Sequence, residues 1–157
     1  MTESLSRPPK GDHHFRRVAI LFAGGPAPGA NAVISTAATS FMRNGTEVVG
    51  MKHGYSSLAD YSPAKPLAEG RDYIKISPEF LKRTRSGQGI MIGTARTNPG
   101  KHVSHPSHFD DAERVGPLKN VYEGLRSLGV EALNIRMRKA MRRKLKEPMK
   151  LGKDLPD

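Results

Sequence analysis

Residues 18–31 read VAILFAGGPAPGAN. Five apolar residues, Val18 to Phe22, run almost directly into Gly24 and Gly25. Pro26, Pro28 and Gly29 follow, and then an alanine-rich segment begins. An unbroken apolar run of this length suits a buried strand, and the glycine–proline cluster suits a turn into a helix. A turn of nearly bare backbone at a helix N-terminus points N–H groups outward, where the helix dipole also favours an anion. The stretch therefore reads as strand, phosphate cradle, helix. Its spacing matches neither G-x-G-x-x-G nor G-x-x-x-x-G-K-[ST], so a plain turn stands beside that reading.

Working outward, Ala30, Val33, Ile34, Ala37, Ala38 and Phe41 approximate a helical stripe that Asn44 and Gly45 stop. A short strand is expected at Val48 to Met51, ended by Gly54. Strand, helix and strand in this order form a βαβ unit and imply a parallel sheet. A proline-punctuated loop leads to a short strand at Tyr73 to Ile76. Ser77 and Pro78 then open a short helix, as N-cap and first helical residue. The apolar Ile90 to Ile92 is a strand or turn that delivers Gly93-Thr94-Ala95-Arg96. A helix is expected from Pro117 to Leu128, closed by Gly129, with a last strand over Val130 to Leu133.

The 157 residues suit one domain with a real core, although 16 Gly and 12 Pro imply many turns. With no cysteine, disulfides and zinc–thiolate chemistry are excluded. No apolar run approaches a membrane span, and residues 1–16 lack the apolar core of a secretory signal. A disordered lead-in and a cytoplasmic location are the expectation. The net charge of +11 is uneven: nine Lys/Arg and three Asp/Glu place +6 in residues 134–157. Met137, Ala140, Met141 and Leu145 fall at helical spacing there, so the basic tail reads as an amphipathic helix. It lacks the aromatic residues that would stack bases, and no nucleic-acid or membrane partner is expected. His102, His105 and His108 recur every third residue, but Pro106 interrupts any helix that would align them. They read as a solvated loop, and no metal site is assigned.

Four segments in this order, VAILFAGGPAPGANAVI, GTEVVGMKHGYSSL, SGQGIMIGTAR and VYEGLRSLGVEAL, resemble the N-terminal part of the 6-phosphofructokinase family. The resemblance implies a Rossmann-like α/β three-layer sandwich with a mainly parallel sheet, covering residues 17–133 between the lead-in and the tail. It implies phosphoryl transfer to fructose 6-phosphate in glycolysis, from ATP or from diphosphate, with Mg2+. By resemblance Gly24 and Gly25 approach the donor phosphates, and Tyr55 lies beside the nucleotide. Arg96 reaches the phosphate in transfer. Pro26, where many ATP-using members carry Asp, points towards the diphosphate branch.

The resemblance fades after Leu133. The family continues into a Gly-Gly-Asp motif and a Thr-Ile-Asp-Asn-Asp-like run that supply a metal ligand and the catalytic base. Here NIRMRKAMRRKLKEPMKLGKDLPD follows, and neither motif is present. A truncated member, inactive alone and inclined to self-associate through its last strand, is the expectation. The alternative from another class is a non-catalytic nucleotide- or polyanion-binding module with a basic tail.

Overall fold

The structure is a computed structural model and describes residues 14–25, 27–82 and 88–137. β1 (Arg17–Ala23) is the centre of the molecule, and every residue from Val18 to Ala23 is buried. Its alternate side chains enter two separate cores. Val18, Ile20 and Phe22 belong to one, while Ala19, Leu21 and Ala23 belong to the other. A strand covered on both faces has no polar face, which is why its sequence is continuously apolar.

α1 (Ala30–Arg43) follows the glycine–proline turn and lays Ala30, Ile34 and Ala38 on the first core. β2 (Glu47–Met51) then pairs in parallel with β1, completing the expected βαβ unit. The four-residue α2 (Ser56–Ala59) buries Leu58 in the second core. β3 (Tyr73–Lys75) pairs antiparallel with β2, and α3 (Pro78–Lys82) comes next. A 3-10 turn over Pro106–Asp110 leads into α4 (Ala112–Ser127). β4 (Ala132–Met137) pairs in parallel with β1, giving the sheet order β3-β2-β1-β4. The mainly parallel sheet thus lies between two helical layers, as expected.

The boundaries of α4 and of the last strand differ most from expectation. α4 begins at Ala112 rather than Pro117, because the Asp111 carboxylate accepts from the Glu113 and Arg114 amides and caps the helix there. Pro117 lies inside the helix instead of opening it. The last strand begins at Ala132 rather than Val130, because Val130 and Gly129 close α4. Their amides donate to the carbonyls of Leu125 and Arg126. The strand continues to Met137, across the boundary drawn at Leu133. Met137 is therefore a strand residue and not the first turn of a tail helix. The remaining expectation for the tail, residues 138–157, lies outside the described residues, as does that for residues 1–13.

The loop between α2 and β3 closes on Asp72, a buried carboxylate that receives the Arg71 guanidinium at 2.7 Å and the Ala68 amide at 2.9 Å. The Arg71 hydrogen bond is the main cause that lowers the Asp72 pKa to about 2. A depressed carboxylate stabilises the fold fully above its unfolded value of about 4, and that contribution disappears as pH falls through about 2. Melting temperatures measured from pH 7 to 2 should therefore fall below pH 4. Asp72→Asn should lower stability at pH 7 and flatten the acid limb. An unchanged acid limb in the variant would remove Asp72 from this role.

Candidate anion site at the sheet edge

Parallel strands bring their C-terminal ends to one edge, and the loops leaving those ends meet there. In this protein β1 delivers Gly24 and Gly25, and β2 delivers Lys52 to Tyr55. The segment 89–97 crosses between them. It forms no named strand, but Ala95 bridges in parallel to Ala23. The Gly24 amide donates to the Ala95 carbonyl at 2.9 Å, and the Thr94 hydroxyl donates to the Gly24 carbonyl at 2.7 Å. Both backbone groups of Gly24 are thus used within the protein. The outward-pointing N–H expected at this residue is instead bound to Ala95. What Gly24 brings to the edge is its φ of 111°, which a residue with a Cβ rarely adopts. Gly25 is buried beside it.

Two further ties hold segment 89–97. The Asn31 side chain donates to the Gly89 carbonyl at 2.8 Å and accepts from the Met91 amide at 2.9 Å. The Ser56 and Thr97 hydroxyls lie 3.0 Å apart. Asn31 was not singled out in the sequence, where it is only one polar residue at the start of an apolar helix. Its position, two residues after Gly29 and facing another loop, is a tertiary fact. α1 itself has Gly29 at its N-cap, no side-chain cap and no acid in its first turn. Its N-terminus and Gly89–Ile90 line a concave surface of about 420 Å3.

Gly54 sits where this edge is tightest. Its φ is 61°, and an added Cβ would stand 3.0 Å from the Phe22 carbonyl oxygen and 3.5 Å from the Ala95 nitrogen. Tyr55, placed beside the nucleotide by resemblance, is only 8% exposed and belongs to the second core with Met51, Leu58 and Val121. Burial raises the pKa of its phenol. Most of its ring serves packing, and little surface is left to meet a ligand.

Arg96 follows Ala95 directly, so the bonds between residues 94–95 and Gly24 place it at the cradle. It is exposed and makes no hydrogen bond or ion pair with the described residues. The contrast with the opposite edge is electrostatic. At the start of β1, Arg17 pairs with Glu47 at 2.7 Å and Arg16 with Glu131 at 3.1 Å. At the C-terminal edge, residues 24–31, 52–57 and 89–98 contain no Asp or Glu at all. Lys52 is engaged, donating to the Gly70 carbonyl at 2.8 Å, whereas the Arg96 guanidinium has no partner among the described residues.

A family model for phosphofructokinase matches residues 17–135. The chain belongs to the phosphofructokinase family. The phosphofructokinase match is supported by curated relatives of two kinds. A pyrophosphate–fructose 6-phosphate 1-phosphotransferase from Thermotoga maritima is 38% identical over 87 residues, covering 54% of this chain and 19% of that protein. An ATP-dependent 6-phosphofructokinase from Aquifex aeolicus is 33% identical over 119 residues, covering 76% of this chain and 30% of that protein. Among solved structures, phosphofructokinase from Saccharomyces cerevisiae superposes with a TM-score of 0.56 at 24% identity, over 76% of this chain and 13% of that one. That likeness concerns the fold. The chain therefore spans less than a third of the length of these phosphofructokinase relatives.

The family implies Mg2+, an ion that takes oxygen ligands, usually carboxylates and phosphates. Segments 24–31, 52–57 and 89–98 do not fit it, because they include no carboxylate, and the neighbouring Asp72 carboxylate is taken up by Arg71 and the Ala68 amide. Among the described residues no group of three His, Asp or Glu could hold a metal ion. The loop histidines make local bonds: His105 caps the 3-10 turn, and His108 accepts from the Ser104 amide. No helix among the described residues is long and apolar enough to cross a membrane.

Proposed function

We propose that this edge is the donor-phosphate site of a 6-phosphofructokinase, which transfers a phosphoryl group from ATP or diphosphate to the 1-hydroxyl of fructose 6-phosphate in glycolysis. The observation that supports the reading is Arg96: an exposed arginine with no partner among the described residues, next to the residues that bind Gly24, where segments 24–31, 52–57 and 89–98 bring no acid of their own. A guanidinium offers two parallel N–H groups to phosphate oxygens and stabilises charge that develops on them during transfer. Gly24 and Gly25 keep the approach free of side chains. Tyr55 contributes through the small part of its ring that is exposed. Both phosphoryl donors suit this chemistry, since each presents a terminal phosphate.

Transfer also needs a carboxylate to take the proton of the attacking hydroxyl. No residue here matches the family's catalytic base, so binding without turnover is the reading for this chain alone, in the cytoplasm. The test is a coupled assay for fructose 1,6-bisphosphate with magnesium, using ATP or diphosphate, run beside a diphosphate binding titration. Binding with no turnover is expected. Robust turnover that disappears in Arg96→Ala would show that the chain contains a base we have not recognised.

The second reading, polyanion binding by the basic tail, is favoured by its +6 charge. It predicts steeply salt-sensitive binding of nucleic acid that Arg96→Ala leaves unchanged. Self-association is a further proposal, because β4 is an edge strand of the sheet among the described residues.

A further inference from the structure

His53 is the only residue other than glycine with positive φ among the described residues, at 56°. Its backbone is locked there. The amide donates to the Ile92 carbonyl at 2.9 Å, and the carbonyl accepts from the Ser56 amide at 3.2 Å. The residue is exposed, and its ring nitrogens have no hydrogen-bond partner among the described residues. The ring lies against Gly93, where an added Cβ would stand 2.7 Å from the imidazole Nδ1. Gly93 thus leaves room for the ring, three residues before Arg96 and next to the threonine that binds Gly24.

A left-handed conformation strains a residue that carries a Cβ, and glycine avoids that strain. The fold around His53 gives no return for it, since neither ring nitrogen bonds to the described protein. Strain held by the surrounding backbone at a ligand-facing edge is a known form of preorganisation. The segments that meet here carry a guanidinium with no partner among the described residues and no Asp or Glu of their own, while the neighbouring Asp72 carboxylate is taken up by Arg71 and the Ala68 amide, so the ligand chemistry that suits an imidazole N–H there is an anion.

We propose that His53 is a second phosphate-contacting side chain of this site, donating from its imidazole to a phosphoryl oxygen opposite Arg96. The inference rests on the donor-phosphate reading above and adds the β2 side of the cradle to it. It also separates two properties that a purely structural histidine would keep together. Replacing His53 by glycine relieves the backbone while removing the donor. Stability and anion affinity should then move in opposite directions.

The experiment titrates inorganic diphosphate into the full chain and into His53→Gly, His53→Asn and Arg96→Ala, with thermal melts of each. Asparagine tolerates the left-handed region and keeps a short side chain, so it guards against a glycine variant that is too flexible to fold. His53→Gly and His53→Asn are expected to melt at or above the parent temperature and to bind diphosphate at least about tenfold more weakly, the loss of one hydrogen bond to a charged group. Parent-like affinity in folded His53 variants, with binding lost in Arg96→Ala, would overturn the role of His53 and leave the site reading intact. Failure of the parent chain to bind diphosphate would overturn both.

Discussion

Gly54→Val is expected to lower the unfolding free energy by about 2–5 kcal/mol, combining left-handed backbone strain with overpacking. The Cβ would meet the Phe22 carbonyl oxygen at 3.0 Å. That oxygen is part of the central strand and cannot swing aside as a side chain could. The effect is large against the 5–15 kcal/mol that holds a typical domain together. Urea denaturation checks it, with Gly54→Ala as the milder comparison, since alanine meets the same oxygen without a branched side chain. A valine variant as stable as the parent would show that the loop after β2 does not press on β1 as described.

Arg96→Ala should weaken diphosphate binding by about tenfold to a hundredfold, the range expected when a hydrogen-bonded ionic contact of about 1.5–3 kcal/mol is removed. Its melting temperature should stay that of the parent, because the exposed side chain makes no hydrogen bond or ion pair with the described residues. Arg96→Lys should fall between the two, since it keeps the charge and loses the planar fork. Calorimetric titration at fixed ionic strength checks all three. Equal affinities would make Arg96 a bystander on the surface.

The parts of the fold that could be read from the chain were those with strong local patterns. β1 is a continuous apolar run, α1 carries its buried stripe on Ala30, Ile34 and Ala38, and β2 is a short apolar segment that ends three residues before Gly54. The start of α4 was harder, because Pro117 is itself a common first helical residue and drew the boundary to it. The Asp111 cap six residues earlier decides the matter. Val130 looked like strand from its side chain, yet its amide is used to close the preceding helix.

The site divides in the same way. That Gly24, Gly25 and Arg96 lie at one edge is legible because their neighbours form recognisable motifs, whereas the internal bond of the Gly24 amide is not. Tyr55 was legible as a position but not as a packed ring, since burial depends on α2 and α4 closing over it. Asn31 and the bond from Gly24 to Ala95 join residues about 60–70 positions apart, and no local pattern announces such a contact. His53 escaped notice because positive φ is a property of the folded backbone, and a histidine before a glycine gives no sign of it.

The central claim is that an anion binds at the C-terminal edge of β1 and β2, between the glycine turn and Arg96. Amide resonances of the isotopically labelled full chain, followed during a diphosphate titration, test it most directly. The account predicts saturable shifts at Gly25, Asn31, His53, Ala95 and Arg96, with the Glu47 and Glu131 end of the sheet unmoved. Shifts confined to residues 138–157, or spread evenly over the basic surface, would contradict it.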